Sequence, residues 1–256
     1  MTTIDPGTLV EIDGRPAIRF ERRFAAPVDR VWRAVTEPDE LRSWFPARVE
    51  GERRVGATLT FAFDGDSDGA PDTGPVVEWD PPRAWAFEWG GSTIRIALEP
   101  DGDGTRMVFT DRPFDPSLAA LTGAGWHACL VALDAHVAGL PAPDGEVWRE
   151  VHDDYLDRMG PPLATPGADG GLTWARWHFA DADRLRALAA DLGGEWAFEP
   201  AEVGTRYRAT RHDVAGAEDA ARWHARLVEL DMLAASGAHV ATDHRRWVEP
   251  YRRLLG

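Results

Sequence analysis

Residues 84–111 read Ala84-Trp-Ala-Phe-Glu-Trp-Gly-Gly-Ser-Thr-Ile-Arg-Ile-Ala-Leu-Glu-Pro-Asp-Gly-Asp-Gly-Thr-Arg-Met-Val-Phe-Thr-Asp111. Bulky apolar side chains fall on alternate positions: Trp85, Phe87 and Trp89, then Ile94, Ile96 and Leu98, then Met107 and Phe109. Gly90-Gly91 and Asp101-Gly102-Asp103-Gly104 separate the runs. A period of two sends successive side chains to opposite faces, and glycine supplies the positive φ of tight hairpins. The stretch therefore predicts antiparallel strands with one apolar face. Leu59, Phe61 and Phe63 carry the same alternation upstream, beyond turn clusters at residues 64–74 and 80–82. Before them lie a strand over 17–25 and a helix from Pro27, with Val28, Val31, Trp32 and Val35 on one face. Pro38 ends that helix and opens a short one carrying Leu41, Trp44 and Phe45. Downstream, Trp126, Leu130, Leu133 and Val137 form one stripe of a long helix, and a tail helix spans 146–159. The apolar face of the sheet and this stripe must cover each other to leave water, so the fold class is α+β.

Residues 161–171 are rich in Pro, Gly and Ala without an apolar period, which predicts a linker between a domain over 1–160 and a second over 172–256. The second segment repeats the first. Glu195-Trp-Ala-Phe-Glu-Pro-Ala-Glu-Val-Gly-Thr-Arg-Tyr-Arg-Ala-Thr210 aligns without gaps on Arg95–Thr110 and keeps Ala, Glu-Pro, Gly-Thr-Arg and the final Thr. Trp223-His224, Leu227 and Leu230 match Trp126-His127, Leu130 and Leu133, and Tyr251 matches Tyr155. Asp183-Arg184-Leu185 echoes Asp29-Arg30-Val31 after a strand at 172–179. The middle strands have no room, so a shortened copy without a ligand cavity is expected. Its narrow sheet would leave an exposed edge and an apolar face to cover, against the first domain or in a homodimer.

The chain of 256 residues carries 43 acidic residues against 28 basic ones, a net charge of −15. Every basic residue is Arg; Lys, Asn and Gln are absent. Schiff-base and pyridoxal-phosphate chemistry, a phosphate-loop lysine and a Cys-His-Asn triad are thereby excluded. The acidic balance disfavours nucleic acid. The single cysteine, Cys129, permits neither an internal disulfide nor a multi-thiolate metal site. Residues 1–5 lack the charged and apolar regions of a signal peptide, and the apolar run 129–140 is broken by Asp134, so a cytoplasmic protein without membrane insertion is expected.

The residues now become recognisable. Arg23-Phe-Ala-Ala-Pro27, Val31-Trp32, Thr36-Glu-Pro38 and Leu41-Arg-Ser-Trp-Phe-Pro46 resemble the bacterial homologues of the activator of the ninety-kilodalton heat-shock protein ATPase. Val76-Val-Glu78, Asp80-Pro-Pro-Arg83, Phe87-Glu-Trp89, Gly104-Thr-Arg106 and Gly125-Trp126 extend the match over about residues 15–160. This resemblance implies the START/SRPBCC superfamily and its helix-grip fold: a curved seven-stranded antiparallel sheet around a C-terminal helix, with a cavity for small apolar ligands between them.

On that frame the cavity-lining candidates are Trp44, Phe61, Phe63, Trp85, Phe87, Trp89, Ile96, Met107, Phe109, Trp126 and Leu130. With Pro81-Pro82 centring the turn, Glu78 lies opposite Trp85 on the apolar face, and Asp111 continues the alternation of Met107 and Phe109. Glu78 and Asp111 are the candidate acid–base or ligand-anchoring pair, each set against a structural ion pair with Arg83 or Arg95, which is favoured. Arg211 stands where Asp111 does, so the copy lacks such a site. His127 reads as a rim residue and Cys129 as a small buried hydrophobe. Asp64-Gly-Asp-Ser-Asp-Gly69 opens like a calcium loop, but Pro75 stands where a bidentate Glu is required. Gly123-Ala-Gly-Trp-His-Ala128 follows no strand and reads as a hinge rather than a dinucleotide loop. No metal site or cofactor is implied. The first expectation is binding of a small apolar or amphipathic molecule. The alternatives are a cofactor-independent cyclase, dehydratase or hydrolase, and a co-chaperone that stimulates a heat-shock ATPase. The eukaryotic activators carry an Asn-rich motif in an additional domain, and this chain has no Asn.

Overall fold

The computed structural model describes residues 5–63, 72–112, 115–142, 147–201, 204–237 and 239–256; the calcium-loop-like stretch 64–69 lies outside them. The chain divides into two compact units, one of residues 1–114 with 122–152 and one of residues 115–121 with 153–256.

The first unit carries β1 (Thr8–Ile12), β2 (Arg15–Phe24), α1 (Val28–Thr36), α2 (Pro38–Leu41), β3 (Arg48–Glu50), β4 (Thr58–Ala62), β5 (Asp72–Asp80), β6 (Ala84–Trp89), β7 (Ser92–Asp101) and β8 (Gly104–Arg112), followed by α3 (Ala119–Val137) and α4 (Val147–Met159). The eight strands form one antiparallel sheet in the order β1-β2-β8-β7-β6-β5-β4-β3. That is one strand more than the resemblance implied. β1 is mostly exposed and has no apolar alternation, so only its Asp13-Gly14 turn, with φ of 52° and 73°, announces the hairpin. Gly90-Gly91 (φ 57° and 80°) closes β6 on β7 in the same way.

Register sorts the side chains. Phe20, Phe109, Ile96 and Trp85 stand in one row across β2, β8, β7 and β6. Ile18, Asp111, Ile94, Phe87 and Val76 form the next row, and Arg22, Met107 and Leu98 another. All of these residues are buried. The opposite face carries Arg19, Thr110, Arg95, Ala86 and Glu78. α3 lays Trp126 on the inner rows, its ring centroid 4.7 Å from that of Phe109, with Leu130 and Leu133 buried along the same stripe. Residues 116–137 are long and apolar enough to cross a membrane by length and composition, but half of that stretch is buried inside the protein, as suits a core helix.

The second unit carries β9 (Thr165–Pro166), β10 (Leu172–His178), α5 (Ala182–Ala189), β11 (Glu195–Pro200), β12 (Thr205–Arg211), α6 (Ala217–Ser236) and α7 (Arg245–Leu255). Its four strands run antiparallel in the order β11-β12-β10-β9. Residues 161–171 are thus not a bare linker: β9 pairs with Leu172 and Thr173, and the buried Ala164 N–H donates to the Tyr251 hydroxyl at 3.0 Å. The division falls inside α4 rather than at Gly160, because the last turns of that helix belong with α7, where Arg246 pairs with Asp153 and Asp157 at 2.7 and 2.8 Å.

β10, β12 and β11 reproduce the order and register of β2, β8 and β7. Arg176 faces Tyr207 as Arg22 faces Met107, and Trp196 faces Ala209 as Ile96 faces Phe109. The shared Gly-Thr-Arg has a steric reason. A Cβ on Gly104 would lie 2.4 Å from the carbonyl oxygen of Phe24, and one on Gly204 would lie 2.2 Å from that of His178, the equivalent residue.

Candidate functional site

Asp111 is the chemically unusual group of the first unit. It sits near the end of β8 on the inner face, between Ile18 and Ile94 in the row, and is 2% exposed. Trp126 Nε1–H donates to its Oδ2 at 2.7 Å. Its Oδ1 is buried without a hydrogen bond of normal geometry, and Ser92 gives the carboxyl only a weaker one. Burial dominates and raises the pKa to about 6, against the opposing pull of Trp126 and Ser92. The favoured ion pair with Arg83 or Arg95 is not formed here.

Glu78 is a different matter. Residues 81–83 make a three-residue loop, closed by Arg83 N–H on the Asp80 carbonyl at 2.7 Å, so Asp80 pairs with Ala84 and Glu78 with Ala86. The expectation that Glu78 opposes Trp85 assumed a two-residue turn. One residue of difference turns the side chain to the other face, where Arg95 grips it through two hydrogen bonds of 2.7 and 3.0 Å. Trp79 takes the inner position against Trp85 instead, and a bulge between Val76 and Glu78 then returns Val76 to the inner face. Glu78 and Asp111 therefore do not form an acid–base pair.

The aromatic candidates do assemble. Phe61 stacks on Phe87 and Trp89, with centroids 5.6 and 5.4 Å apart, and Trp85 touches Phe87 at 4.5 Å. Trp89 meets Trp126 at 6.1 Å. Ile96, Met107 and Leu130 are buried on the same side. Phe63 is 44% exposed and stands beside Trp89 at 5.9 Å, so it marks the outer end of this aromatic line rather than its wall. Trp44 serves the scaffold: its Nε1–H donates to the Ala34 carbonyl at 2.9 Å and ties the α2 region to α1. Its neighbour Phe45 is the ring that reaches the cluster, 5.3–6.4 Å from Phe61, Phe87, Trp89 and Trp126. Phe45 and Ser92 were not among the cavity candidates: Phe45 lies beyond the end of the short helix expected to carry it, and a lone serine in a hairpin carries no periodic signal. Trp85 Nε1 is a second buried polar atom on this face without a hydrogen-bond partner.

A family model described as Activator of Hsp90 ATPase homolog 1-like protein matches residues 25–138. Those residues are similar to that family. The matched stretch contains the aromatic cluster, Asp111 and α3. Among solved structures, a conserved protein of unknown function from Enterococcus faecalis is similar over 60% of this chain and 90% of its own, at 23% identity and a TM-score of 0.52, which shows a shared fold. CalU16 from Micromonospora echinospora matches at 24% identity and a TM-score of 0.48, over 60% of this chain and 95% of its own. A protein from Bordetella parapertussis matches at 27% identity and a TM-score of 0.48, over 62% and 95%. No curated protein matches the chain.

Two further residues of the matched stretch bear on the site. His127, expected at the rim, is 8% exposed. Burial pushes the Cys129 thiol up to about 12, so it is an inert thiol at neutral pH, as its lack of an activating base suggested. Asp134, one turn beyond Leu130, is also raised to about 6 by burial, while the Arg22 guanidinium pulls it down.

Proposed function

We propose that the family domain binds a small apolar or amphipathic molecule between its sheet and α3, with Asp111 receiving the polar end. The observation that carries this reading is a buried carboxyl on an aromatic wall with one oxygen lacking a well-formed hydrogen bond. An apolar core has no use for such a group, which costs free energy on burial unless a partner satisfies it. The fold supports the reading, since START/SRPBCC domains typically hold apolar ligands in this place. The rings touch one another, so the ligand enters at the end marked by Phe63, Trp89 and Ser92, parting those less enclosed side chains from α3. The enzymatic alternative needed Glu78 and Asp111 on one face, and they lie on opposite ones. Residues 172–256 fit a shortened copy of this domain, on the strength of the common register and the equivalent close approaches at Gly104 and Gly204.

Titration with a neutral apolar dye such as Nile red tests the proposal. Saturable dye emission with quenching of Trp fluorescence is expected for the wild type. Trp126→Phe keeps the ring but removes the donor to Asp111, and should change dye affinity several-fold while the protein stays folded. Phe109→Ala should weaken uptake further. A wild-type protein that takes up no dye while its Trp emission stays constant ends the proposal.

A further inference from the structure

The chemistry around Asp111 narrows the class of molecule, given the binding reading above. Three features of the site point the same way. Oδ1 of the carboxyl is an acceptor without a well-formed bond, and its polar neighbours among the described residues are an indole N–H and a serine hydroxyl. No charged side chain among the described residues contributes to its ionisation. The walls beside it are π faces and edges: Trp126 and Phe109 with centroids 4.7 Å apart, and Trp89 and Phe45 at 6.1 and 5.5 Å from Trp126. Aromatic faces attract cations through their quadrupole, most strongly where water is excluded. The whole chain adds a field of the same preference, with a net charge of −15.

Each ligand charge then meets a different fate. An anion faces a carboxyl, electron-rich rings and a negative protein. A neutral alcohol donates one ordinary hydrogen bond. An ammonium donates a charge-assisted hydrogen bond to Oδ1, makes Asp111 the buried counter-charge it lacks, and rests against the rings; this outweighs its desolvation only because the pair completes itself inside the site. We propose that the Asp111 site is selective for a lipophilic amine, with the ammonium on the free carboxylate oxygen and an aromatic or alkyl body among Phe45, Trp89, Phe109 and Trp126.

The test uses the full chain and three probes that share a naphthalene body: 1-naphthylmethylamine, 1-naphthalenemethanol and 1-naphthylacetate. Calorimetric titration runs near pH 7.5 in about 0.3 M salt, where attraction to the acidic surface is screened. The amine should bind about tenfold or more tightly than the alcohol, and the acetate most weakly. Asp111→Asn should erase the amine's advantage over the alcohol, with circular dichroism showing that the variant keeps its fold. If the alcohol or acetate matches the amine, or if Asp111→Asn keeps the amine's advantage, the cation preference is wrong and the apolar-binding reading stands. If none of the three binds, both fall together.

Discussion

Two units share a strand-and-helix skeleton and diverge at equivalent positions. In the first, Asp111 accepts a hydrogen bond from Trp126. In the second, Arg211 occupies the matching end of β12 and lays its guanidinium 4.9 Å from the ring of Trp223, whose Nε1 is buried without an acceptor. At the helix, the second unit pairs Arg176 with Asp231 at 2.8 Å, both side chains almost fully buried, and Tyr207 donates to the same carboxylate at 2.6 Å. Arg22 and Asp134 hold the matching positions in the first unit, where the attraction only partly offsets the burial of Asp134. His224 and Trp174 meet at the Tyr251 hydroxyl, at 2.8 and 2.6 Å. One interior is thus mainly rings around Asp111, while the other is held by two hydrogen-bonded clusters, one on Asp231 and one on the Tyr251 hydroxyl. The difference teaches that close backbone packing keeps Gly-Thr-Arg in both units, whereas the inward side chains answer to what each interior must do.

The largest expected effect breaks the comparison at the ion pair. Asp231→Ala strands a buried guanidinium and a tyrosine hydroxyl, and should cost about 3–5 kcal/mol in urea unfolding. Asp134→Ala removes a partly buried and poorly compensated acid, and should cost less than about 1.5 kcal/mol. Equal losses would mean that the two pairs are alike after all.

Next comes the pH response. The folded pKa of Asp111 is about 6, above the unfolded value of about 3.9. The folded state therefore holds the proton more tightly, and this contribution to stability is full below pH ~4 and lost as pH rises through ~6. Its size is on the order of 2–3 kcal/mol. Asp134 shifts in the same direction, so Asp111→Asn should flatten part of the fall between pH ~4 and ~7 rather than all of it. Thermal unfolding across that range reads the result, and an unchanged slope would contradict the environment described for Asp111.

The smallest effect is at Glu78. Its pair with Arg95 is half-exposed, and Glu78→Ala should cost less than about 1 kcal/mol and leave dye uptake as in the wild type. A large loss of uptake would bring Glu78 back to the site.

Much of this was legible in the chain. Alternation identified β4, β6, β7 and β8, and the i, i+3, i+4 stripes identified α1 and the core face of α3, because those periods report which side of an element meets water. The matched Glu-Pro, Gly-Thr-Arg and Trp-His segments pointed to the common register. Asp111 and Trp126 were named, but not their hydrogen bond, since residues on a strand and a helix carry no mutual spacing signal. Trp79 escaped because its face depends on the length of the loop at 81–83.

By itself the sequence determined the type of the strongly periodic elements, the apolar face and the place of a carboxyl at its end. These follow from local periodicity and glycine geometry, which act over a few residues. Tertiary structure alone decided which face Glu78 takes, that Asp111 has no salt-bridge partner among the described residues, and that Thr165–Pro166 join a sheet. Turn length and register set those outcomes: one residue more in a loop reverses every side chain beyond it, and burial exists only once distant elements close over a group.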